Sequence, residues 1–254
     1  MITPRIEFIG VTGLPEIEPD ACVGRLVAEA CESQETPLRL GDLLIVTQKI
    51  VSKSEGRIAN LSDVIPSTFA NEFANQSGRD PRLIEIVLRE SKNIVRADSE
   101  RGILIVETRH GLICANAGVD SSNVLGEEIV ALLPEDPDRS ASDIRRDLLK
   151  ATGIDIPVII SDTFGRPWRE GHVNFAIGMS GIEPFKDYRG LPDSTGERMA
   201  VTNIAEIDEI AAAAELVMGK VDGIPAAILR GHSYRPGDSG QASLLRERSM
   251  DLFR

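Results

Sequence analysis

The densest concentration of reactive groups in the chain is Ser161-Asp162-Thr163-Phe164-Gly165-Arg166-Pro167-Trp168-Arg169-Glu170-Gly171. It sets a carboxylate, hydroxyls, two guanidiniums and the only tryptophan of the chain in one glycine-flanked loop. Arginine forks match carboxylate and phosphate, and functional groups concentrate on loops held by rigid strands. The bland alternative is that Arg166 and Arg169 pair with acids such as Glu170 and that Trp168 is a packing anchor. A second segment, Asn116-Ala117-Gly118-Val119-Asp120-Ser121-Ser122-Asn123, places a carboxylate and small polar groups in a tight loop. Oxygen donors of this kind suit magnesium or manganese, with water and substrate phosphate completing the shell. The same pattern also suits an Asx turn that caps a helix. The third segment runs from Gln48 to Arg57 and holds Lys49 and Lys53 four residues apart. On a helical turn the two share a face and can grip a polyphosphate; otherwise they are solvated surface lysines.

Other chemistries have less support. The chain contains no GxxxxGK[ST] and no GxGxxG, so a nucleotide site must be built without the Walker A or Rossmann fingerprint. HExxH is absent, and His110, His172 and His232 lie far apart with no cysteine at ligand spacing, which disfavours zinc. Cys22, Cys31 and Cys114 form no CxxC pair and read as reduced thiols in the core. The formal charge of −12 repels polyanions, so no nucleic-acid partner is expected, and an anionic small substrate must be met by local lysines, arginines or metal.

These segments need rigid elements to position them. Ile6 to Val11 reads as a strand leading to the turn at Gly13-Leu14-Pro15, followed by an amphipathic helix from about Asp20 with Val23, Leu26, Val27 and Ala30 on one face. Asp42 to Thr47 and Ile156 to Ile160 are continuous apolar runs of the buried-strand type, and they end in Gln48-Lys49 and in Ser161-Asp162-Thr163. Helices are expected near Pro66 to Ala74, from Asp80-Pro81 with an N-cap and a first-turn proline, from the Ser140-Ala141-Ser142-Asp143 start to Gly153, and around Ile207 to Met218. Strands are expected at 93–96, 103–107, 112–115 and 226–229, with a hairpin turn at His110-Gly111. Leu133 to Asp138, with two prolines and three acids, reads as a linker. The pattern has no regular βαβ repeat, so α+β or mixed α/β, with two interlocked subdomains and mixed and antiparallel sheets, is the expected class. A length of 254 residues fits one large domain or two small ones. Apolar residues at 42% and charged residues at 27% argue against disorder, and no apolar run approaches the roughly 20 residues that span a bilayer. The start, Met1 to Glu7, lacks a basic n-region and an apolar h-region, so a cytoplasmic location without a membrane partner is expected.

Taken together, Gly13 to Ile17, Gln48 to Gly56, Asn116 to Asn123, Ser161 to Gly171 and Leu216-Val217-Met218-Gly219-Lys220 resemble the coenzyme F-420 gamma-glutamyl ligase family, in the family's order and over nearly the whole chain. The resemblance implies a single ligase domain over 1–254, divided into subdomains near 134–140, with no C-terminal nitroreductase-like domain. It implies a homodimer that uses GTP and manganese or magnesium, with a monovalent cation such as potassium, to form a gamma-linked amide between L-glutamate and a deazaflavin coenzyme precursor. An acyl phosphate is the implied intermediate. Carried over by position, guanine-nucleotide contacts fall on Leu14, Pro15, Glu16, Ile17, Gln48, Lys49, Lys53, Asn123, Met218, Gly219, Lys220, Val221, Asp222, Gly223, Ile224 and Pro225. Metal ligands fall on Asp120, Asp162 and Thr163. Arg166 and Arg169 are added here as anion clamps in the catalytic loop. One departure is visible: Lys220 stands where a glutamine beside a second metal is expected, and an ammonium has no lone pair to ligate metal.

Two other readings share these residues. A metal-dependent phosphohydrolase can use Asp120 and Asp162 with water as the acceptor. A nucleotide-binding module without turnover needs only the acid and the two lysines.

Overall fold

The computed structural model describes residues 3–122, 126 and 128–252. In chain order the elements are β1 (Glu7–Val11), α1 (Val23–Ser33), β2 (Leu43–Thr47), α2 (Gln48–Ser54), β3 (Ile58–Asn60), α3 (Thr68–Ser77), α4 (Pro81–Arg89), β4 (Ser91–Asp98), β5 (Ile103–Thr108), β6 (Ile113–Ala115), β7 (Ile129–Ala131), α5 (Pro137–Thr152), β8 (Val158–Arg166), β9 (Arg169–Ser180), β10 (Lys186–Asp187), β11 (Asn203–Ile204), α6 (Glu206–Met218) and β12 (Ala226–Arg230). The class is α+β, as the mixed pattern implied.

Five strands form the main sheet in the order β1-β12-β2-β8-β9. Neighbours in it run antiparallel except β2 and β8, which run parallel. Both of those strands are buried on two faces, which is why they read as unbroken apolar runs rather than alternating ones. The two-residue period sorts their side chains: Leu44, Val46, Val158 and Ile160 face α1 and α5, while Leu43, Ile45 and Ile159 face α6. A second pair of hydrophobic clusters lies in the stretch between α2 and α5. There α3 and α4 pack Ala70, Phe73, Ile84 and Val87 against Leu104 and Val106 of the β4-β5-β6 sheet, while Leu61 and Ile86 pack with Val130 and Leu132. Arg57 joins this stretch to the return of the chain, donating to the Leu133 carbonyl at 3.0 Å and pairing with Glu90 at 2.6 Å. No helix among the described residues is long and apolar enough to cross a membrane.

Helix starts follow local chemistry. Asp80 caps α4 by accepting the Arg82 amide at 2.8 Å, with Pro81 in the first turn, as read from the sequence. The segment read as a linker is different. Asp136 accepts the Arg139 amide at 3.1 Å and Pro137 opens α5, so this helix begins three residues before the Ser140 start expected from the pattern. An Asp-Pro pair that looks like a breaker is here an N-cap and a first helical residue. Leu132, Leu133, Pro134 and Pro137 are all buried. The segment 161–171, expected as a loop, is strand over most of its length. The strand β8 continues through it to Arg166 and pairs with β9, with Gly165 opposite His172 and a register shift between Ile160 and Ser161. Phe164 stacks on Phe175 across the hairpin at 6.0 Å, so the glycine-flanked polar sequence is a β-ribbon whose tight turn falls at Trp168, φ 57°.

Pro137 also fixes how α5 sits on the sheet. A Cβ added at Gly178 of β9 meets the Pro137 carbonyl carbon and its side chain at 2.5 Å, so only glycine permits this approach. Gly178→Ala is expected to lower stability by roughly 1–3 kcal/mol through overpacking. The urea midpoint measures it; an unchanged midpoint means that α5 shifts freely on the sheet.

Candidate functional site

Parallel pairing places the C-terminal ends of β2 and β8 side by side, with Thr47 in register with Ser161. Beyond them opens a cavity of about 800 Å³. Its walls bring together Leu14, Pro15, Glu16 and Ile17 after β1, Gln48, Lys49 and Lys53 on α2, Asp120 and Ser122, Asp162 and Thr163, and Gly219, Lys220, Val221, Gly223, Ile224 and Pro225 before β12. Lys49 and Lys53 do share a helical face, because α2 starts directly at the strand end.

Asp120 forms the Asx turn read from its loop and also faces a lysine. Its Oδ1 accepts the Ser122 amide at 2.7 Å in an Asx turn, while its Oδ2 faces the Lys49 ammonium at 2.8 Å. Lys49 also donates to the Ser122 hydroxyl at 2.6 Å. Backbone bonds between Asp120 and Ala131 hold the loop from behind, at 3.0 and 2.8 Å. Burial acts to raise the Asp120 carboxyl, but the bonds from Lys49 and Ser122 together outweigh it and hold the group below the usual aspartate range. Asp162 lies at the other extreme. Burial pushes it up to about 7, the Asp120 charge adds to the rise, and the Thr163 amide, Lys220 and Lys49 only partly offset it.

Thr163 belongs to a ring of polar groups. Its hydroxyl bonds Asn174 Oδ1 at 2.6 Å, Asn174 Nδ2 donates to Glu215 Oε2 at 2.8 Å, Lys220 pairs with Glu215 Oε1 at 3.3 Å, and Lys220 donates to the Thr163 oxygen. Lys53 pairs with Glu16. Gln48 is buried; its Oε1 accepts from Ser52 at 2.8 Å, whereas its Nε2 has no partner among the described residues. A buried donor in a cavity wall is a ready ligand contact.

The structure does not bring every expected residue to this cavity. Arg166 and Arg169 lie at the tip of the β8–β9 hairpin outside the lining; Arg166 bonds the Glu170 carbonyl and Arg169 is exposed. Met218, the last residue of α6, is buried in the core, and Asp222 lies outside the lining too. Asn123 falls outside the described residues. In turn, Ser122, His172 and Asn174 line the cavity, and Glu215 reaches it through Asn174, without having been singled out from sequence. His172 and Asn174 alternate along β9, a signal visible only once 169–180 is read as a strand.

The donor set fits a hard divalent cation. Asp162 is a partly buried residue whose carboxyl is withdrawn from water with too little positive charge around it, and Asp120 is an ionised oxygen donor whose field reaches it. Among the described residues no three of His, Cys, Asp and Glu group as metal ligands. An ion held by these two carboxylates would need further ligands such as phosphate and water, the habit of magnesium and manganese.

The family described as F420-0:Gamma-glutamyl ligase matches residues 12–231, a span that includes every residue lining the cavity. The chain belongs to this family. Among relatives of the F420-0:gamma-glutamyl ligase family, it is similar to the coenzyme F420:L-glutamate ligase of Methanothermobacter thermautotrophicus, 43% identical over 252 residues covering 98% of this chain and 99% of the relative. The ligase of the same description from Methanopyrus kandleri is 43% identical, covering 94% of each chain. That from Archaeoglobus fulgidus is 39% identical, covering 98% of this chain and 97% of the relative.

Asp162 gives this family member a pH signature. Between about pH 4 and 7 the folded chain keeps a proton that the unfolded chain has lost, so stability of the ligand-free protein falls as pH rises through that window. Asp162→Asn is expected to remove the fall, raising the thermal midpoint above wild type at about pH 8 and matching it near pH 4. Parallel wild-type and variant curves over the whole range would falsify the assignment.

Proposed function

We propose that this chain is a ligase that joins L-glutamate through a gamma-linked amide to the deazaflavin coenzyme F-420 precursor, with GTP as the energy source. One observation carries the reading: segments far apart in sequence, all within the span that the family matches, meet in one cavity that pairs carboxylates with ammonium groups. The GTP requirement, the acyl phosphate and the homodimer belong to the proposal, as does a cytoplasmic location.

Amide formation from a carboxylate needs activation. In the proposed sequence, a carboxylate oxygen of the coenzyme precursor attacks the gamma-phosphorus of GTP, the bond to GDP breaks, and an acyl phosphate results. The glutamate amine then attacks the acyl carbon, inorganic phosphate leaves, and the nitrogen gives up its proton. Most of the catalysis is positioning and charge neutralisation, which explains why no histidine or cysteine nucleophile is needed. Lys49 and Lys53, four apart on α2, offer two ammonium groups to a phosphate chain, and the Gln48 amide offers a buried donor beside them. The run from Gly219 to Pro225 and the turn Leu14 to Ile17 close the pocket around the nucleoside. Asp120 and Asp162 would hold a divalent ion, which would supply neutralisation of the phosphate charge. Arg166 and Arg169 enter the proposal only as outer contacts for substrate anions at the hairpin tip.

Incubation with GTP, manganese, glutamate and the deazaflavin precursor is expected to add one or more glutamyl masses to the precursor. Asp120→Ala and Asp162→Ala are expected to cut that rate by at least about 100-fold while remaining folded. Release of phosphate from GTP with no mass added to the precursor would instead assign a phosphohydrolase.

A further inference from the structure

The ring at Thr163 constrains its own hydrogen-bond directions. Glu215 is a carboxylate and only accepts, so the Asn174 amide nitrogen faces it at 2.8 Å and the Asn174 oxygen faces Thr163. That oxygen accepts the Thr163 proton at 2.6 Å, which turns the hydroxyl lone pairs toward Lys220 and the cavity. The Lys220 ammonium is held from two sides, by the Thr163 oxygen and by Glu215 Oε1 at 3.3 Å. Its charge reaches Asp162, as the charge of Lys49 does from the other flank.

We propose that the Lys220 ammonium takes the place of a second divalent ion, so that the site binds one such ion, on Asp120 and Asp162, and Thr163 ligates none. This rests on the nucleotide and metal reading above. A hard cation sits about 2.1–2.6 Å from a ligand oxygen, so an ion on Thr163 would stand beside an ammonium already bonded to the same atom. Paired ions in two-metal sites lie about 3.5–4 Å apart, close to the spacing between such an ion and that ammonium, and the two would repel with little water between them. An ammonium supplies positive charge and hydrogen-bond donors but opens no coordination position. Dependence on metal is therefore that of a single ion, and the remaining phosphate charge meets a fixed side chain.

The test counts manganese on the intact chain in the presence of a non-hydrolysable GTP analogue, with free ion read by electron paramagnetic resonance. One ion per wild-type chain and two in Lys220→Gln are the expected counts. Thr163→Ala is expected to keep one ion with affinity within about twofold, whereas losing a true ligand costs tenfold or more. Thermal melts check that both variants fold; the wild-type and Thr163→Ala measurements decide the matter even if Lys220→Gln does not. Two ions on wild type, one on Lys220→Gln, or a tenfold loss in Thr163→Ala each overturns the inference while leaving the metal reading standing. No manganese bound at all overturns both.

Discussion

Parallel pairing of β2 with β8 is the constraint on which the remaining architecture depends. Antiparallel strands can be joined by a tight turn, but parallel neighbours need a long crossover. Here the crossover runs from Gln48 to Pro157 and contains α2, the β4-β5-β6 sheet with its covering helices, and α5. Asp120 arises inside it, after β6, and Asp162 arises on β8 just past the segment paired with β2. The same pairing aligns the polar ends of the two strands, so that α2 begins at the point where β8 turns from apolar to polar residues.

Electrostatics is local in this protein. A chain with a formal charge of −12 attracts anions only where cations are concentrated, and the cavity gathers Lys49, Lys53 and Lys220. Each is held by a carboxylate, from Asp120, Glu16 and Glu215 respectively. Such pairing keeps the ammonium groups oriented in a partly desolvated wall, at the cost that an incoming phosphate must share or displace an acid. Asp162 is the group left over in this exchange. Its ionised form is poorly compensated by protein alone, which is the electrostatic condition under which a metal ion stabilises rather than merely decorates a site.

Much of this was legible in the residues. The buried runs at 43–47 and 158–160 betray themselves by composition, because both of their faces are covered, and Asp80-Pro81 and Gly153 mark helix ends by backbone chemistry alone. Local chemistry was ambiguous where tertiary pairing decides. Ser161 to Gly171 has the composition of a loop and becomes a ribbon because β9 supplies the partner for its ladder. Asp136-Pro137 has the composition of a linker and becomes a helix start because Gly178 leaves room for the proline. Asn174 and Glu215 carry no motif, and their importance comes from meeting Thr163 and Lys220 across 57 residues of chain. Arg166 and Arg169 show the reverse case, in which suggestive chemistry is carried by a strand past the cavity rather than into it.

The origin of the two carboxylates in different parts of the chain also has a dynamic consequence. Asp162 belongs to the main sheet, sandwiched between α1 and α5 on one side and α6 on the other, whereas Asp120 is anchored through Ala131 to a smaller set of clusters. Regions with separate cores can open with separate free energies, so the two carboxylates need not lose their positions together. The proposed ion, held by both carboxylates, would tie the two regions together, and amide protection in the β4-β5-β6 region would then gauge its occupancy.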